Sequence, residues 1–237
     1  MEATGVTRSL VIQSYTADNN LPWIEACLSS VRAWAQTVGY DYAFMGDEFL
    51  LKAPGWYRGK VGARLPIVAD LARLIWIQEL LQQDAADVVI WLDADTLVFA
   101  PDELRVNLVT DCAFGREHWL QLDGKGRERV YRNVHNGFCA FRQGSVVLPF
   151  LIHAVSRLVE RVEADAIAPQ FVGPKLLGHL HSIIGFELDE RFGAISPYLA
   201  QRLIQGEGLP DRLAAANLCL SLAGEVDHAA LVERLKG

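Results

Sequence analysis

Apolar residues follow two kinds of pattern along the chain, short continuous runs and longer segments with helical spacing. The short runs predict strands at residues 10–15, 40–45, 88–92, 112–115, 133–141 and 195–199. The segments with helical spacing predict helices at residues 21–38, 66–83, 145–162, 173–184, 211–222 and 227–236. Asn20 is predicted to cap the first helix. Two segments with glycine, proline or charged residues, 52–62 and 123–129, predict loops.

The order of these elements predicts the class of fold. Strands and helices alternate, which is typical of an α/β protein, here with a mixed, mostly parallel sheet flanked by helices. The chain of 237 residues is long enough to bury a substantial core. We expect residues 1–237 to form a single domain with a helical carboxyl-terminal extension from about residue 185. The first strand–helix–strand unit lacks G-x-G-x-x-G, which argues against a dinucleotide-dependent dehydrogenase.

The uninterrupted apolar run at residues 88–92 ends directly before Asp93 and Asp95. Ligands bind beyond the carboxyl ends of strands in open α/β sheets, so this position predicts a site. In an extended chain, side chains two residues apart lie on the same side of the strand. Two carboxylates so placed suit Mg²⁺ or Mn²⁺, and such a metal suits a diphosphate. Asp-x-Asp is also an ordinary polar strand end, so the motif alone leaves both interpretations open.

Two other polar pairs have an ordinary interpretation beside a functional one. Asp70 and Arg73 are three residues apart on a predicted helix and therefore share a face. This spacing alone favours an exposed ion pair worth only about a few tenths of a kcal/mol. Asn136 and Gly137 form a dipeptide that is common in turns, so their pattern predicts a turn.

The composition narrows the classes of function. With 51% hydrophobic residues, the sequence is that of a globular protein, and no apolar run has membrane-spanning length. Residues 1–9 lack the apolar segment of a signal peptide, so we expect a cytoplasmic protein. The net charge of −7 argues against a nucleic-acid partner, although a metal can offset the charge of a sugar nucleotide locally. The four scattered cysteines are expected to be reduced core residues.

Taken together, these residues resemble a glycosyltransferase of the GT-A type. The similarity is closest to the DXD group that includes the family 32 fungal α-mannosyltransferases and the glucosylating clostridial toxins. It is carried by residues 11–14, 68–73 and 91–95, and by Gly173-Pro174 downstream of Asn136-Gly137. The order and separation of these motifs match the family over residues 10–184. The resemblance implies a GT-A fold and a hexosyltransferase that uses Mn²⁺ or Mg²⁺.

The resemblance also implies roles for the matching residues on the donor side. Gln13 and Ser14, at the end of the first strand, would border the nucleotide. Asp93 would face the ribose and the metal, and Asp95 would bind the metal directly. Lys60 or Arg64 could add a positive contact, although a lysine or arginine beside a loop is more often only solvated.

Further roles follow for the sugar and the acceptor. Asp70 and Arg73 would hold hydroxyls of the donor sugar. Asn136 and Gly137 would lie near the reacting sugar or the acceptor, which would be a glycan, a lipid-linked molecule or a small molecule. The family favours retention of the anomeric configuration. Inversion would need a carboxylate base near the acceptor hydroxyl, and Glu117 is the nearest candidate by position.

One part of the family pattern is missing. Members of the group usually supply another metal or phosphate contact near the carboxyl terminus, from a segment containing His, Asn or Trp. Residues 218–237 contain no tryptophan, and only His228 stands out. His179, His181 and His228 are therefore rival candidates for this ligand.

Two alternatives from other classes remain open. A sugar-phosphate nucleotidyltransferase shares the sheet topology, but it usually carries a glycine-rich, basic loop after the first strand, which residues 15–20 lack. A non-catalytic glycan- or partner-binding module on a degenerate transferase fold would explain a missing ligand. The terminal helices could form either an acceptor lid or a dimer surface.

Overall fold

The computed structural model describes residues 7–16, 21–168, 170–222 and 224–237. Its strands, numbered in chain order, are β1 (Ser9–Ser14), β2 (Asp41–Met45), β3 (Val88–Leu92), β4 (Thr96–Val98), β5 (Cys112–Leu122), β6 (Glu128–Tyr131), β7 (Val134–Arg142), β8 (Glu187–Ile195) and β9 (Ala215–Asn217). Its α-helices are α1 (Pro22–Val38), α2 (Gly55–Val61), α3 (Leu65–Gln82), α4 (Val147–Arg161), α5 (Pro174–Ile184), α6 (Pro197–Ile204) and α7 (His228–Lys236). Within this described part of the chain, no helix combines the length and the apolar content that crossing a bilayer requires.

The strands pair into one mixed sheet. Its order is β2-β1-β3-β7-β5-β8-β9-β4, and β6 forms a hairpin with β5. β1 is parallel to β2 and β3, and β8 is parallel to β5 and β9, whereas the other neighbours are antiparallel. β3 and β4 are consecutive in the chain but distant in this order, so residues 93–95 connect two parts of the sheet. The predicted α/β class, with a mixed sheet and flanking helices, is confirmed.

β3 lies between two apolar cores, because all five of its residues are buried. Val89 and Trp91 pack on one side with residues of α2, α3, α4 and α5. Val88, Ile90 and Leu92 pack on the other side with residues of α1. Burial of both faces explains why the run is apolar without alternation. The carboxyl end of β3 is therefore the first place where this strand can present polar groups.

The two ends of α1 show why its boundaries were predictable. The helix begins at Pro22, where proline is tolerated because the first helical N–H has no intrahelical partner. It ends at Val38 and is capped by Gly39, whose φ of +77° lies in the left-handed region that glycine adopts without strain. The predicted cap Asn20 lies outside the described residues.

Two predicted elements in the middle of the chain differ from the structure. Residues 52–62 are not only a loop, because they contain α2. Tyr57 and Val61 are one helical turn apart and fully buried, so packing of this face stabilises a helix in a glycine-containing segment. The strand predicted at residues 112–115 continues to Leu122, because its polar second half pairs with β6, β7 and β8.

The helix predicted at residues 211–222 is wrong. This segment contains β9, whose central alanines are buried between β8 and β4, and this packing overrides the helix propensity of alanine. The strand predicted at residues 195–199 is wrong as well. Ile195 ends β8, and Ser196 caps α6 by accepting a hydrogen bond from the Leu199 N–H at 3.2 Å. The chain after residue 185 therefore adds two strands to the sheet as well as α6 and α7.

The burial of β9 gives a test of stability. Ala216→Leu should destabilise the protein by about 1–3 kcal/mol, because it forces added methylene groups into a packed strand. The same substitution at Ala229, which is exposed on α7, should change stability by less than about 0.5 kcal/mol. Urea denaturation followed by circular dichroism measures both effects. Equal, small effects at the two positions would contradict the core position of Ala216.

Candidate active site

Asp93 and Asp95 lie in a turn at the carboxyl end of β3. The Thr96 N–H donates to the Asp93 carbonyl oxygen at 3.0 Å, so residues 93–95 are not extended as their spacing suggested. The Asp93 N–H donates to the Gly137 carbonyl oxygen on β7 at 2.8 Å. The turn is thus attached to the sheet while it leads the chain from β3 to β4.

Asn217, the last residue of β9, holds the two carboxylates together. Its Nδ2 donates to Asp95 Oδ1 at 2.8 Å and to Asp93 Oδ2 at 3.3 Å. Its Oδ1 accepts a hydrogen bond from the Cys219 N–H at 2.8 Å, which directs the NH₂ group toward the carboxylates. The Leu220 N–H donates to Asp95 Oδ2 at 2.7 Å. The carboxyl-terminal part of the chain therefore fixes the orientation of Asp95.

Sequence reasoning missed Asn217 because it lies within residues 211–222, which were predicted as a helix. The family pattern allowed an asparagine near the carboxyl terminus, so the residue type itself was a usable indication. Its position became clear only from the strand pairing, in which Thr96 on β4 lies opposite Asn217 on β9. That pairing depends on packing of the whole sheet.

Arg73 connects α3 to the turn. Its guanidinium contacts Asp70 Oδ1 at 3.3 Å and Asp93 Oδ1 at 3.2 Å, and it lies 5.1 Å from the ring centroid of Trp91. It also donates to the main-chain carbonyl oxygen of Asn136. Asp70 and Arg73 are 8% and 6% exposed. The interpretation as a solvated surface pair is therefore wrong, and the pair belongs to a buried polar cluster.

Asn136 completes this cluster from β7. Its Nδ2 donates to Asp70 Oδ1 at 2.7 Å. It lies within β7 where the pairing register with β5 shifts, so Asn136-Gly137 forms a strand irregularity and not the predicted turn. A Cβ atom on Gly137 would lie 2.8 Å from Asn217 Nδ2, and one on Gly173 would lie 2.9 Å from Asp70 Oδ2. Both glycines therefore leave room for polar side chains of the cluster.

The end of β1 forms another side of the site. Gln13 is fully buried, and its Nε2 donates to the Asp93 carbonyl oxygen at 3.2 Å. Its Oε1 accepts a hydrogen bond from the Tyr42 hydroxyl at 3.1 Å. The Ser14 hydroxyl donates to the Gly46 carbonyl oxygen at 3.5 Å. The structure therefore brings the end of β1 beside the Asp93 turn.

The cluster has an excess of negative charge. It contains three carboxylates, from Asp70, Asp93 and Asp95, and one guanidinium, from Arg73. Burial raises the pKa of Asp70 to about 6 although Arg73 and Asn136 lower it. Burial and then the charge of Asp93 raise the pKa of Asp95 above its ordinary range. A bound divalent cation would offset this charge.

The donor set near Asp93 and Asp95 fits a hard cation that takes its other ligands from water and phosphate oxygens, as Mg²⁺ commonly does. In the part of the chain that the structure describes, no group of three or more His, Cys, Asp or Glu side chains could hold a metal. His228 packs elsewhere: its ring stacks on Trp23 at 4.1 Å, and its Nε2 contacts the Leu218 carbonyl oxygen at 2.7 Å.

Several other candidates lie in different contacts. His181 packs against the Phe186 ring. Arg64 donates to the Val61 carbonyl oxygen at 3.2 Å, and Lys60 donates to the Glu160 carbonyl oxygen at 2.5 Å. The contacts that these three side chains make are with partners outside the carboxylate cluster.

Glu117 and His179 line a separate cavity of about 640 Å³ between the β5–β6 hairpin and α5. Glu117 Oε2 accepts a hydrogen bond from Asn133 Nδ2 at 2.8 Å. Burial raises the pKa of Glu117, whereas the Asn133 hydrogen bond lowers it. Glu117 therefore lines the same cavity as His179, and its carboxylate is hydrogen-bonded to Asn133 and not to a residue of the Asp93 turn.

Comparison with solved structures identifies the fold. A glycosyltransferase involved in the glycosylation of the major capsid of PBCV-1 superposes with a TM-score of 0.52 at 9% identity, covering 97% of this chain and 98% of that chain. The chain therefore shares its overall fold with that glycosyltransferase. The bifunctional glycosyltransferase WbbM (TM-score 0.49, 11% identity, 99% of this chain, 50% of that chain) and mouse xyloside xylosyltransferase 1 (0.46, 8%, 92%, 99%) superpose less well. No family model and no curated protein sequence matches the chain.

The close approach of the Gly173 main chain to Asp70 and Asn136 gives a mutational test. Gly173→Ala should displace Asp70 and Asn136 and destabilise the protein by about 1–3 kcal/mol, because the new methyl group would overlap them. Gly178 lies within α5, the helix that follows Gly173, with open space around it, so Gly178→Ala should be neutral or stabilise by up to about 1 kcal/mol. Thermal unfolding compares the two variants, and equal effects would contradict the packing at Gly173.

The raised pKa of Asp95 gives a test with pH. In the folded protein the Asp95 carboxyl ionises at a higher pH than in the unfolded chain, so its contribution to stability falls as pH rises from about 4 to neutral. Asn does not titrate, so the difference in stability should move in favour of Asp95→Asn over this range. Melting temperatures in the presence of a chelator measure this difference. A difference that is independent of pH would contradict it, and exposed Asp165→Asn serves as control.

Proposed function

We propose that this protein transfers a sugar from a nucleotide diphosphate sugar to an acceptor hydroxyl, with Mn²⁺ or Mg²⁺ bound at the Asp93 turn. The observation that supports this most is the convergence of Asp93, Asp95 and Asn217 at the carboxyl end of β3, beside the buried Asp70–Arg73 pair. This is the edge of an α/β sheet where ligands bind, in a fold shared with a glycosyltransferase.

Asp93 and Asp95 would hold the metal with their carboxylate oxygens. When bound, the metal would neutralise the negative charge that develops on the departing diphosphate. Asn217 keeps the two carboxylates together by donating to both of them. In this orientation Asn217 acts as a positioning residue, because its own oxygen accepts from the Cys219 N–H. We do not assign the metal to His179 or His181, or a phosphate contact to Arg64, because His179 lines the separate cavity and the other two contact Phe186 and the Val61 carbonyl oxygen.

Arg73, Asp70 and Asn136 would hold the donor sugar. A buried carboxylate accepts sugar hydroxyl groups, and a guanidinium and an amide donate to sugar oxygens. Gln13 and Ser14 would border the nucleotide at the end of β1. The cluster is already hydrogen-bonded within the protein, so these groups are pre-organised before the donor arrives.

We further propose that the protein is related to the DXD group of family 32, and that the reaction retains the anomeric configuration. Both proposals rest on the motif resemblance. The product of one turnover tests the second point directly. The one-bond C1–H1 coupling constant, measured by NMR, distinguishes the α and β anomers of the glycoside formed, and retention gives the same anomer as the donor.

Donor hydrolysis tests the reaction class. The purified protein is incubated with a panel of nucleotide diphosphate sugars, with Mn²⁺ or with a chelator, and released sugar is measured. Metal-dependent release from one donor is the expected result. Formation of diphosphate from a nucleoside triphosphate and a sugar phosphate would instead indicate a nucleotidyltransferase. The absence of both reactions, together with glycan binding, would indicate a binding module.

Asp95→Ala tests the metal site. It should reduce metal-dependent hydrolysis at least about 100-fold, because it removes a carboxylate that would stabilise developing charge. Mn²⁺ should also raise the melting temperature of the parent protein and not that of the variant. Exposed Asp165→Ala should retain both responses. Full activity of Asp95→Ala would rule out the metal assignment.

A further inference from the structure

The 640 Å³ cavity has one polar and aromatic wall made by the β5–β6 hairpin. Glu117, Trp119 and Gln121 are spaced by two along β5 and therefore point to the same face. Tyr131 on β6 is paired directly opposite Trp119, so the two aromatic side chains are neighbours on this wall. Asn133 adds its amide beside Glu117.

The opposite wall is the amino-terminal half of α5. Pro174, Lys175 and His179 line the cavity from this helix. The residue before Pro174 is Gly173, which lies directly against Asp70 and Asn136 of the carboxylate cluster. The start of α5 therefore lies beside the carboxylate cluster, and the residues that follow it line the cavity.

The sheet gives a second link between the cavity and the proposed metal site. Glu117 on β5 is paired with Ala194 on β8, and Ala194 is paired with Asn217 on β9. Residues in register across neighbouring parallel strands point to the same face, and the strands are about 4.8 Å apart. Glu117 and Asn217 therefore lie in one row, with main chains separated by about 10 Å and only the small Ala194 between them.

The charges agree with this placement. Burial is the main cause of the raised pKa of the Cys219 thiol, and the negative charges of Asp95, Glu117 and Asp93 raise it further. Cys219 is thus close to both the cavity carboxylate and the metal-site carboxylates. A molecule in the cavity would have one end near Glu117 and near the place where the donor sugar is proposed to bind.

The wall of this cavity combines flat aromatic rings with hydrogen-bonding side chains. The C–H groups on one face of a pyranose carry partial positive charge and pack against the negative face of an aromatic ring. Its hydroxyl groups require both donors and acceptors, which Glu117, Gln121 and Asn133 supply. A volume of 640 Å³ lies within the range of about 300–1,000 Å³ of small-ligand sites, large enough for one or two sugar rings.

We propose that this cavity is the acceptor site and binds a carbohydrate, which stacks on Trp119 and Tyr131 and donates one hydroxyl hydrogen bond to Glu117. The role of this carbohydrate as the acceptor rests on the proposed glycosyl transfer. Binding of a carbohydrate in the cavity does not depend on that function. Glu117 is 7% exposed and holds one hydrogen bond to Asn133, so it remains able to accept another from a ligand.

Binding of sugars tests the site without the need for activity. The full chain is titrated with methyl α- and β-glycosides of glucose, galactose, mannose, xylose and N-acetylglucosamine and with the disaccharides lactose, maltose and cellobiose. Saturation-transfer NMR detects binding. At least one of these sugars should saturate the protein, and Trp119→Ala should weaken its binding about tenfold through loss of stacking.

Matched variants separate stacking from unfolding. Trp56→Ala removes a half-exposed tryptophan from α2, outside the cavity, and should leave sugar binding unchanged. The nearly isosteric Glu117→Gln should weaken binding about tenfold or more, because it replaces a charged acceptor. If Trp119→Ala does not fold, the Glu117→Gln variant still tests whether sugar binds in the cavity. Saturable binding that neither cavity variant changes, or no saturation by any sugar in the panel, would overturn the proposal.

Donor hydrolysis without any acceptor separates this proposal from the proposed function. Trp56→Ala should retain the parent rate of metal-dependent hydrolysis, because Trp56 lies outside both the cavity and the carboxylate cluster. Hydrolysis without sugar binding would overturn the acceptor site and leave the transferase function intact. Sugar binding that depends on Trp119, with no hydrolysis of any donor, would support the carbohydrate site and contradict the transferase function.

Discussion

A single buried guanidinium determines how the centre of this protein is built. Arg73 has almost no access to water, and a cation in that position requires charged or polar partners to offset its lost hydration. It finds them on α3, on the turn after β3 and on β7, in Asp70, Asp93 and the Asn136 carbonyl oxygen. Three elements distant in sequence are thereby held at one point, and the Trp91 ring closes the remaining side.

The cluster around Arg73 has more carboxylates than cations, and among the residues that the structure describes no further cationic side chain balances the excess negative charge. Structural ion pairs are usually balanced, because an uncompensated buried charge is costly. Here the raised pKa values of Asp70 and Asp95 express that cost. Such groups cluster at functional sites, where a ligand or a reaction uses the imbalance. The excess charge therefore distinguishes this cluster from the exposed salt bridges elsewhere, such as Arg157–Glu160.

The pattern of apolar and polar residues was sufficient to predict a strand that is buried on both faces, and a helix whose ends carry proline and glycine. The apolar run of β3, Pro22 and Gly39 are examples, and each expresses a local requirement. Asp93 and Asp95 could be singled out for the same reason, since polar residues directly after a buried strand stand out. The burial of Asp70 and Arg73 could not be predicted, because spacing along a helix does not tell which neighbour covers that face. Asn217 was hidden because the alanines before it favour helix locally, whereas the sheet imposes an extended chain.

The position of Asn217 has a consequence for how the site is assembled. It is 124 residues from Asp93 and 122 from Asp95 along the chain. Contacts of such long separation form late in folding, because closing a large loop costs entropy before the contact contributes stability. During synthesis, the orientation of the two carboxylates is therefore fixed only after β9 has been made. The strands of the sheet must therefore pair before Asn217 can hold the two carboxylates in the arrangement of the folded protein.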